Sequence, residues 1–326
     1  RLTAGDSATL SRSPQSEVYT LIESDLQAAI SALPLEKSTN GRATSLTAHA
    51  LLGKVYLYQD KFDEAASILE PLIGLYSLPA DPQSTFLKGG QNGPESVYEI
   101  QHTKESNWWD WGYVPQGTEG NFGVIHHGIR GYSGPLYSSG WSFNVPTQDL
   151  VDAFAAGDKR KDVAVLDIEA WATSTGAKYS TGYEHTGYFN NKYIPRAGES
   201  QAQQELNYET NYRAIRYADV LLMAAEANNR ASSPNVSKAQ NYLNQVRARA
   251  YGNSSNASSS TGTTLTQEIW DERRLELAGE GSRFFDLVRT GQAASVISGF
   301  VAGKHELFPI PQTEIDVSNL TQNPGY

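Results

Sequence analysis

The chain contains no cysteine and a single methionine among its 326 residues. Disulfides, thiolate metal sites and cysteine nucleophiles are thereby excluded together. The redox compartment stays open, since an exported protein can also mature without disulfides. Long apolar runs are missing too: no stretch approaches the roughly 18 to 20 residues that cross a bilayer as a helix. No apolar core follows Arg1-Leu2-Thr3, so the chain is expected either to be cytosolic or to begin downstream of a targeting segment. Basic residues are outnumbered, 26 Lys and Arg against 36 Asp and Glu, for a formal charge of −10. A field of that sign repels a phosphate backbone unless a basic patch overrules it. Lys159-Arg160-Lys161 reads as a solvated helix end rather than such a patch, so no nucleic-acid partner is expected. There is no Gly-rich phosphate loop, and Gly131-Tyr132-Ser133-Gly134 lacks the spacing of a nucleophile elbow. His126, His127 and His185 do not form a metal-ligand spacing with nearby acids. No metal or cofactor is therefore expected, although a surface calcium site of oxygen ligands stays open.

What is present is an ordinary folded composition, 39% hydrophobic and 10% aromatic. Val18, Leu21, Ile22, Ala29, Ile30 and Leu33 recur at three- and four-residue steps and predict an amphipathic helix from Glu17 to Leu33, opened by Ser13-Pro14 and stopped by Pro34. A helical hairpin follows, Leu46 to Gln59 and Glu64 to Ile73. Ala50, Gly53 and Ala65 mark a close crossing, and Leu52, Tyr56, Leu57, Ile68, Leu69 and Leu72 fill the contact face. This order of small, aromatic and leucine positions matches the tetratricopeptide pattern, whose repeat is about 34 residues. Tyr217 to Asn229 and Ser237 to Ala250 read as a second hairpin. Two copies are fewer than a freestanding solenoid needs, so other helices are expected to complete the stack.

Between the hairpins, Asp81 to Tyr208 shows little helical period. Ser96 to Gln101 alternates as a short strand and Thr147 to Ala156 reads as a short helix, the remainder as ordered loop. Asn253 to Thr264 is Ser/Thr/Gly/Asn-rich and is expected to be a mobile surface loop. Leu265 to Ala278 returns to helix, Phe284 to Val288 opens another that ends at Gly291, and Pro309, Pro311 and Pro324 are expected to keep the C-terminal part from His305 onward free of helix.

Three segments together resemble the SusD/RagB family of outer-membrane nutrient-binding lipoproteins. The first runs from Tyr212 to Ala227 and has an Arg-Tyr-Ala-Asp core at Arg216 to Asp219. The second is Ile269-Trp270-Asp271-Glu272-Arg273-Arg274-Leu275-Glu276-Leu277, followed by Glu280 to Arg289. The third is Phe308-Pro309-Ile310-Pro311-Gln312-Thr313-Glu314-Ile315, closing on Gln322-Asn323-Pro324-Gly325-Tyr326. The resemblance implies a mainly α fold of tetratricopeptide-like helical hairpins with a loop-rich insert containing short strands. On that basis residues 1–326 are expected to be a single SusD-like domain lacking its N-terminal part. Residues 14–80 and 209–326 would form the helical scaffold, and 81–208 the aromatic-rich insert and candidate ligand face. It further implies a lipid-anchored place on the outer face of the outer membrane, through an N-terminal anchor absent from this chain, and a SusC-like TonB-dependent transporter as partner.

Sugars present C–H patches above and below a ring of hydroxyls, so a binder needs flat aromatic faces beside polar groups. Asn107, Trp108, Trp109, Asp110, Trp111 and Tyr113 supply three indoles and a phenol within seven residues. Tyr137 and Trp141 follow in the same insert and complete the eight candidate ligand-binding residues; Tyr132 and Asn144 lie nearby in the sequence. Loop aromatics more often plug an insert onto its scaffold. Trp171, Tyr179, Tyr183, Tyr188 and Tyr193 form a second, more scattered set. The resulting expectation is a non-enzyme that captures an oligosaccharide for its transporter. One alternative is a helical-repeat scaffold that binds no glycan. The other is a glycoside hydrolase, for which Asp110 and Glu119 would be the carboxylate pair.

Overall fold

The computed structural model describes residues 11–105, 120–200, 207–318 and 320–326. Ala29–Glu280 forms one compact unit, and the described residues up to Ala28 form a second with Gly281–Tyr326. Along the chain run α1 (Gln15–Ala32), α2 (Ser45–Leu57), α3 (Phe62–Leu69), β1 (Ser96–Ile100), α4 (Gly123–His126), α5 (Gln148–Ala153), α6 (Arg160–Ala164), β2 (Val165–Asp167) and α7 (Ile168–Thr175). Then come β3 (Tyr188–Asn190), β4 (Tyr212–Arg216), α8 (Tyr217–Arg230), α9 (Val236–Tyr251), α10 (Gly262–Glu276), α11 (Arg283–Arg289), α12 (Ala293–Val296) and α13 (Gln312–Asp316). The fold is mainly α, built on helical hairpins, with two short two-stranded sheets among the described residues.

In the larger unit, α2 begins with a reciprocal cap. The Thr47 amide donates to Thr44 Oγ1 at 3.2 Å and the Thr44 amide to Thr47 Oγ1 at 3.3 Å, which satisfies two donors at the helix start. The hairpin crosses where its small residues predict. Ala50 and Ala65 are fully buried, and a Cβ on Gly53 would lie 2.4 Å from Leu69 Cδ2. The second hairpin packs α9 on α8, and α3 and α10 pack against α8 as well. With neighbours on several sides, α8 is buried from Tyr217 through Asn229, as a helix in the middle of a stack must be. Ser258, half-buried on the loop that leads into α10, hydrogen-bonds Asn244 of α9 through its amide at 2.7 Å, and Gln240 of α9 donates to the Ser260 carbonyl at 2.9 Å. The segment expected to be mobile is thus tied to α9, and its last residues, from Gly262, open α10.

A buried ionic network joins α10 to the rest of this unit. Arg216 donates from Nε to Glu280 at 2.7 Å and from Nη1 to both Glu95 and Glu276 at 2.6 Å. Arg160 grips Asp158 with two bonds and reaches Glu272 at 2.5 Å. Lys192 bonds Glu280 at 2.6 Å, and Arg249 bonds Glu276. Every one of these side chains is at least nine-tenths buried. Removing one partner from such a cluster leaves uncompensated charge in the interior.

The insert holds more regular structure than its sequence pattern predicts. β1 pairs antiparallel with β4, Glu99 standing opposite Arg213, and β2 with β3, Leu166 opposite Phe189. Residues 212–216, the front of the first family-like segment, form strand β4, and α8 begins only at Tyr217. α6, α7, β2 and β3 are three to eight residues long, too short for a period to emerge. α7 is bounded by local signals instead: Asp167 accepts from the Ala170 amide at 2.9 Å, and Gly176 closes the helix at φ 74°. Ile129, Tyr132, Tyr137, Ile168, Phe189 and Ile194 form the core of this region.

The smaller unit carries the C-terminal segment. Here α13 forms where prolines were expected to forbid helix, because Pro311 stands just ahead of it, where no amide donor is needed. Gln322 pairs with both backbone groups of Ile310, at 2.8 and 2.9 Å, and Asn323 donates to the Phe308 carbonyl at 2.6 Å. α1 is helical as expected, yet none of its residues is buried. Its apolar stripe sets a face but not what covers that face.

Candidate functional site

Asn107, Trp108, Trp109, Asp110, Trp111 and Tyr113, with Glu119, lie outside the described residues. The described chain resumes directly after them, and there an aromatic cluster is built. The one-turn helix α4 carries Phe122 and His126 at and near its ends. The segment 140–143 then runs back along it through four backbone bonds: Gly140 to Ile129, Trp141 to Ile125, Ser142 to Gly128 and Phe143 to His126, all 2.8 to 3.0 Å. The close approach depends on two glycines, because a Cβ on Gly140 would sit 2.3 Å from the Gly128 Cα.

This pairing gathers four rings. Phe122 lies edge-on to His126 at 4.8 Å and to Trp141 at 5.8 Å; His126 is 4.9 Å from Trp141, and Phe143 is 6.0 Å from His126 and 6.3 Å from Trp141. Underneath, Phe122 and Trp141 rest on Val124, Ile125 and Tyr208. Trp141 is thus half-buried on a rigid base, while Phe143 is 55% exposed. Ser142 and Asn144 flank Phe143 at φ 59° and 52°, a left-handed geometry that is uncommon outside glycine and clusters at functional sites. Polar groups border the rings. Arg130 donates to the Trp141 carbonyl at 2.8 Å, and Asn144 meets His127 Nε2 at 3.2 Å. Burial, aided by His126, holds the His127 imidazole below its ordinary pKa and so favours its neutral form. The loop between α7 and β3 reaches the same place, with the position of a Gly182 Cβ 3.2 Å from Ser142, and it carries Tyr183 at 90% exposure.

Tyr137 is a correction. It is only 6% exposed, its hydroxyl donates to Asn191 at 3.1 Å, and its ring meets Tyr132 and Trp171 edge-on within the core. An aromatic with a satisfied hydroxyl and apolar neighbours on its faces packs rather than stacks on a ligand. Tyr132 and Tyr193 are buried as well. Phe122, Phe143 and Arg130 were not singled out from the sequence. The short spacing Trp141-Ser142-Phe143-Asn144 was the available signal for Phe143, whereas the approach of α4 to 140–143 leaves no mark in the sequence. No group of three or more metal-ligating side chains occurs among the described residues.

A model of the SusD family matches residues 165–326. SusD-like protein P2 of Formosa agariphila is 31% identical over 99% of this chain and 68% of its own length, and SusD-like protein P38 of the same organism is 27% identical over 91% and 61%. Among solved structures, a laminarin binding SusD-like protein aligns with TM-score 0.88 at 39% identity, covering 100% of this chain and 72% of that one. Surface glycan-binding protein A from Bacteroides thetaiotaomicron, in complex with laminarihexaose, aligns with TM-score 0.80 at 28% identity over 94% of this chain and 70% of its own. Sequence and fold agree over nearly the whole chain, and the chain belongs to the SusD family.

Proposed function

We propose that this protein captures an oligosaccharide at the outer face of the outer membrane and passes it to a SusC-like TonB-dependent transporter, without catalysis. The observation that carries the reading is the ring cluster of Phe122, His126, Trp141 and Phe143 on a fixed base, with Arg130 and Asn144 beside it to meet sugar hydroxyls. Trp108, Trp109 and Trp111, which precede Phe122 in the sequence, are proposed to take part in the same capture. The relatives whose names mention laminarin or laminarihexaose support a ligand of that class. Membership of an outer-membrane-associated family supports the location. Each stacked ring contributes about 0.5 to 1.5 kcal/mol beyond area burial, which after ordering costs places affinity in the roughly micromolar to millimolar range.

Affinity electrophoresis of the purified chain through gels containing laminarin or other polysaccharides tests this reading. Retardation by laminarin that disappears in Trp141→Ala, with folding intact, is the expected result. Unretarded migration through every polysaccharide would leave a protein-interaction scaffold as the better description. Release of reducing ends from laminarin, abolished by Asp110→Asn, would instead make the chain a hydrolase.

A further inference from the structure

The loop between α7 and β3 has two fixed feet and a free tip. At the first foot, Ser133 and Lys178 exchange two backbone bonds at 2.9 Å, and the Ser180 amide donates to the Arg130 carbonyl at 2.8 Å. At the second, the Ile168 amide donates to the Gly187 carbonyl at 3.0 Å. The His185 ring packs there between Tyr179 and Phe189, 5.7 and 6.2 Å away. The tip carries Tyr183, which is 90% exposed and makes no hydrogen bond or ring contact among the described residues. A single exposed aromatic is ordinary on a protein surface. Its place is what distinguishes this one.

Gly182 abuts the segment that carries the rings, since a Cβ on it would lie 3.2 Å from Ser142 Cβ and 3.8 Å from Arg130 Nε. Tyr183 and Phe143 are therefore each one residue from a contact between the two loops, and their Cα atoms lie no more than about 14 Å apart. Backbone strain collects at the same junction. Six non-glycine residues among those described have a positive φ, and three of them are Ser142, Asn144 and Glu184, at 59°, 52° and 53°. Such residues persist only where the surrounding structure holds them, and they cluster at ligand clamps. A tyrosine in that position offers a flat apolar face and a hydroxyl, and fixing it on a ligand orders only two side-chain torsions. Given capture of a glycan by the ring cluster, on which this rests, we propose that Tyr183 is a further stacking ring of that site. One oligosaccharide is then held by Trp141 on its rigid base and by Tyr183 from a separate loop.

Titration calorimetry of the full chain with laminarihexaose tests this, with urea unfolding as the check on folding. Tyr183→Ala is expected to weaken binding about fivefold, and its unfolding midpoint should not move because the side chain is exposed. Tyr183→Phe keeps the ring and should bind within about twofold of the parent, whereas Tyr183→Leu, apolar but not flat, should fall with the alanine variant. Unchanged affinity in Tyr183→Ala, where Trp141→Ala loses it, overturns the role of Tyr183 and leaves capture by the ring cluster standing. An equal loss in Tyr183→Phe also overturns stacking, since the hydroxyl alone would then make the contact. Absence of laminarihexaose binding by the parent chain overturns capture of that glycan, and the role of Tyr183 with it.

Discussion

Gly128 and Gly140 meet backbone to backbone, and a Cβ on Gly140 would fall 2.3 Å from the Gly128 Cα and 2.6 Å from the Ile125 carbonyl oxygen. Neither glycine has a positive φ, so the requirement is for space alone. This approach holds 140–143 along α4 and gathers Trp141, His126 and Phe143. Gly140→Ala is therefore expected to destabilise the protein by about 1 to 3 kcal/mol through overpacking and to weaken laminarin retardation. Gly89→Ala is the control, since nothing lies within 4 Å of that Cβ. Urea unfolding and affinity gels on both variants check the contrast.

Trp141 and Tyr137 should separate binding from folding. Trp141→Ala is expected to lower glycan affinity about tenfold or more, the loss of roughly 1.4 kcal/mol or more of stacking and burial. Tyr137→Phe removes the bond to Asn191 and is expected to cost about 0.5 to 1.5 kcal/mol of stability with glycan affinity unchanged. Titration calorimetry with laminarihexaose, paired with chemical denaturation, reads both outcomes.

Arg216 holds three buried carboxylates, Glu95, Glu276 and Glu280, at 2.6 to 2.7 Å. Arg216→Met leaves them short of a cation and is expected to destabilise by about 3 to 5 kcal/mol. Arg274 pairs with Asp149, whose side chain is 80% exposed, and Arg274→Ala should cost no more than about 1 kcal/mol of ion-pair stability. Thermal melts of the two variants side by side distinguish them.

Burial raises the Asp219 carboxyl, but Arg273 at 2.7 Å and Lys54 more than offset it and hold the pKa at about 2. The unfolded value is near 3.9. Because the folded pKa is the lower one, the ionised carboxylate stabilises the fold above about pH 4, and that contribution is lost as pH falls toward 2. Asp219→Asn is accordingly expected to narrow its stability deficit against the parent chain between pH 4 and 2. Unfolding followed by circular dichroism across that range measures the gap.

The scaffold was legible because it rests on long periodic helices. Ala50, Gly53 and Ala65 marked the α2–α3 crossing in the sequence, and the structure places Leu69 against Gly53. The short elements of the insert were not legible, since β2, β3 and α6 end before a period can show. For the site, sequence composition pointed to an aromatic-rich insert and to Trp141, but it could not separate Trp141 on the surface from Tyr137 in the core. Both are rings in glycine-rich loop, and what distinguishes them is tertiary: the Tyr137 hydroxyl meets Asn191 and its ring is enclosed by Tyr132 and Trp171.

By itself the sequence determined the helical hairpins, the absence of thiol chemistry, the acidic field and the family, because each depends on composition or on local order along the chain. Which rings stand exposed, which arginines find carboxylates, and that Gly182 abuts Ser142 were decided by tertiary structure. Many of those are meetings between residues more than a hundred positions apart, and their partners are fixed by packing rather than by spacing.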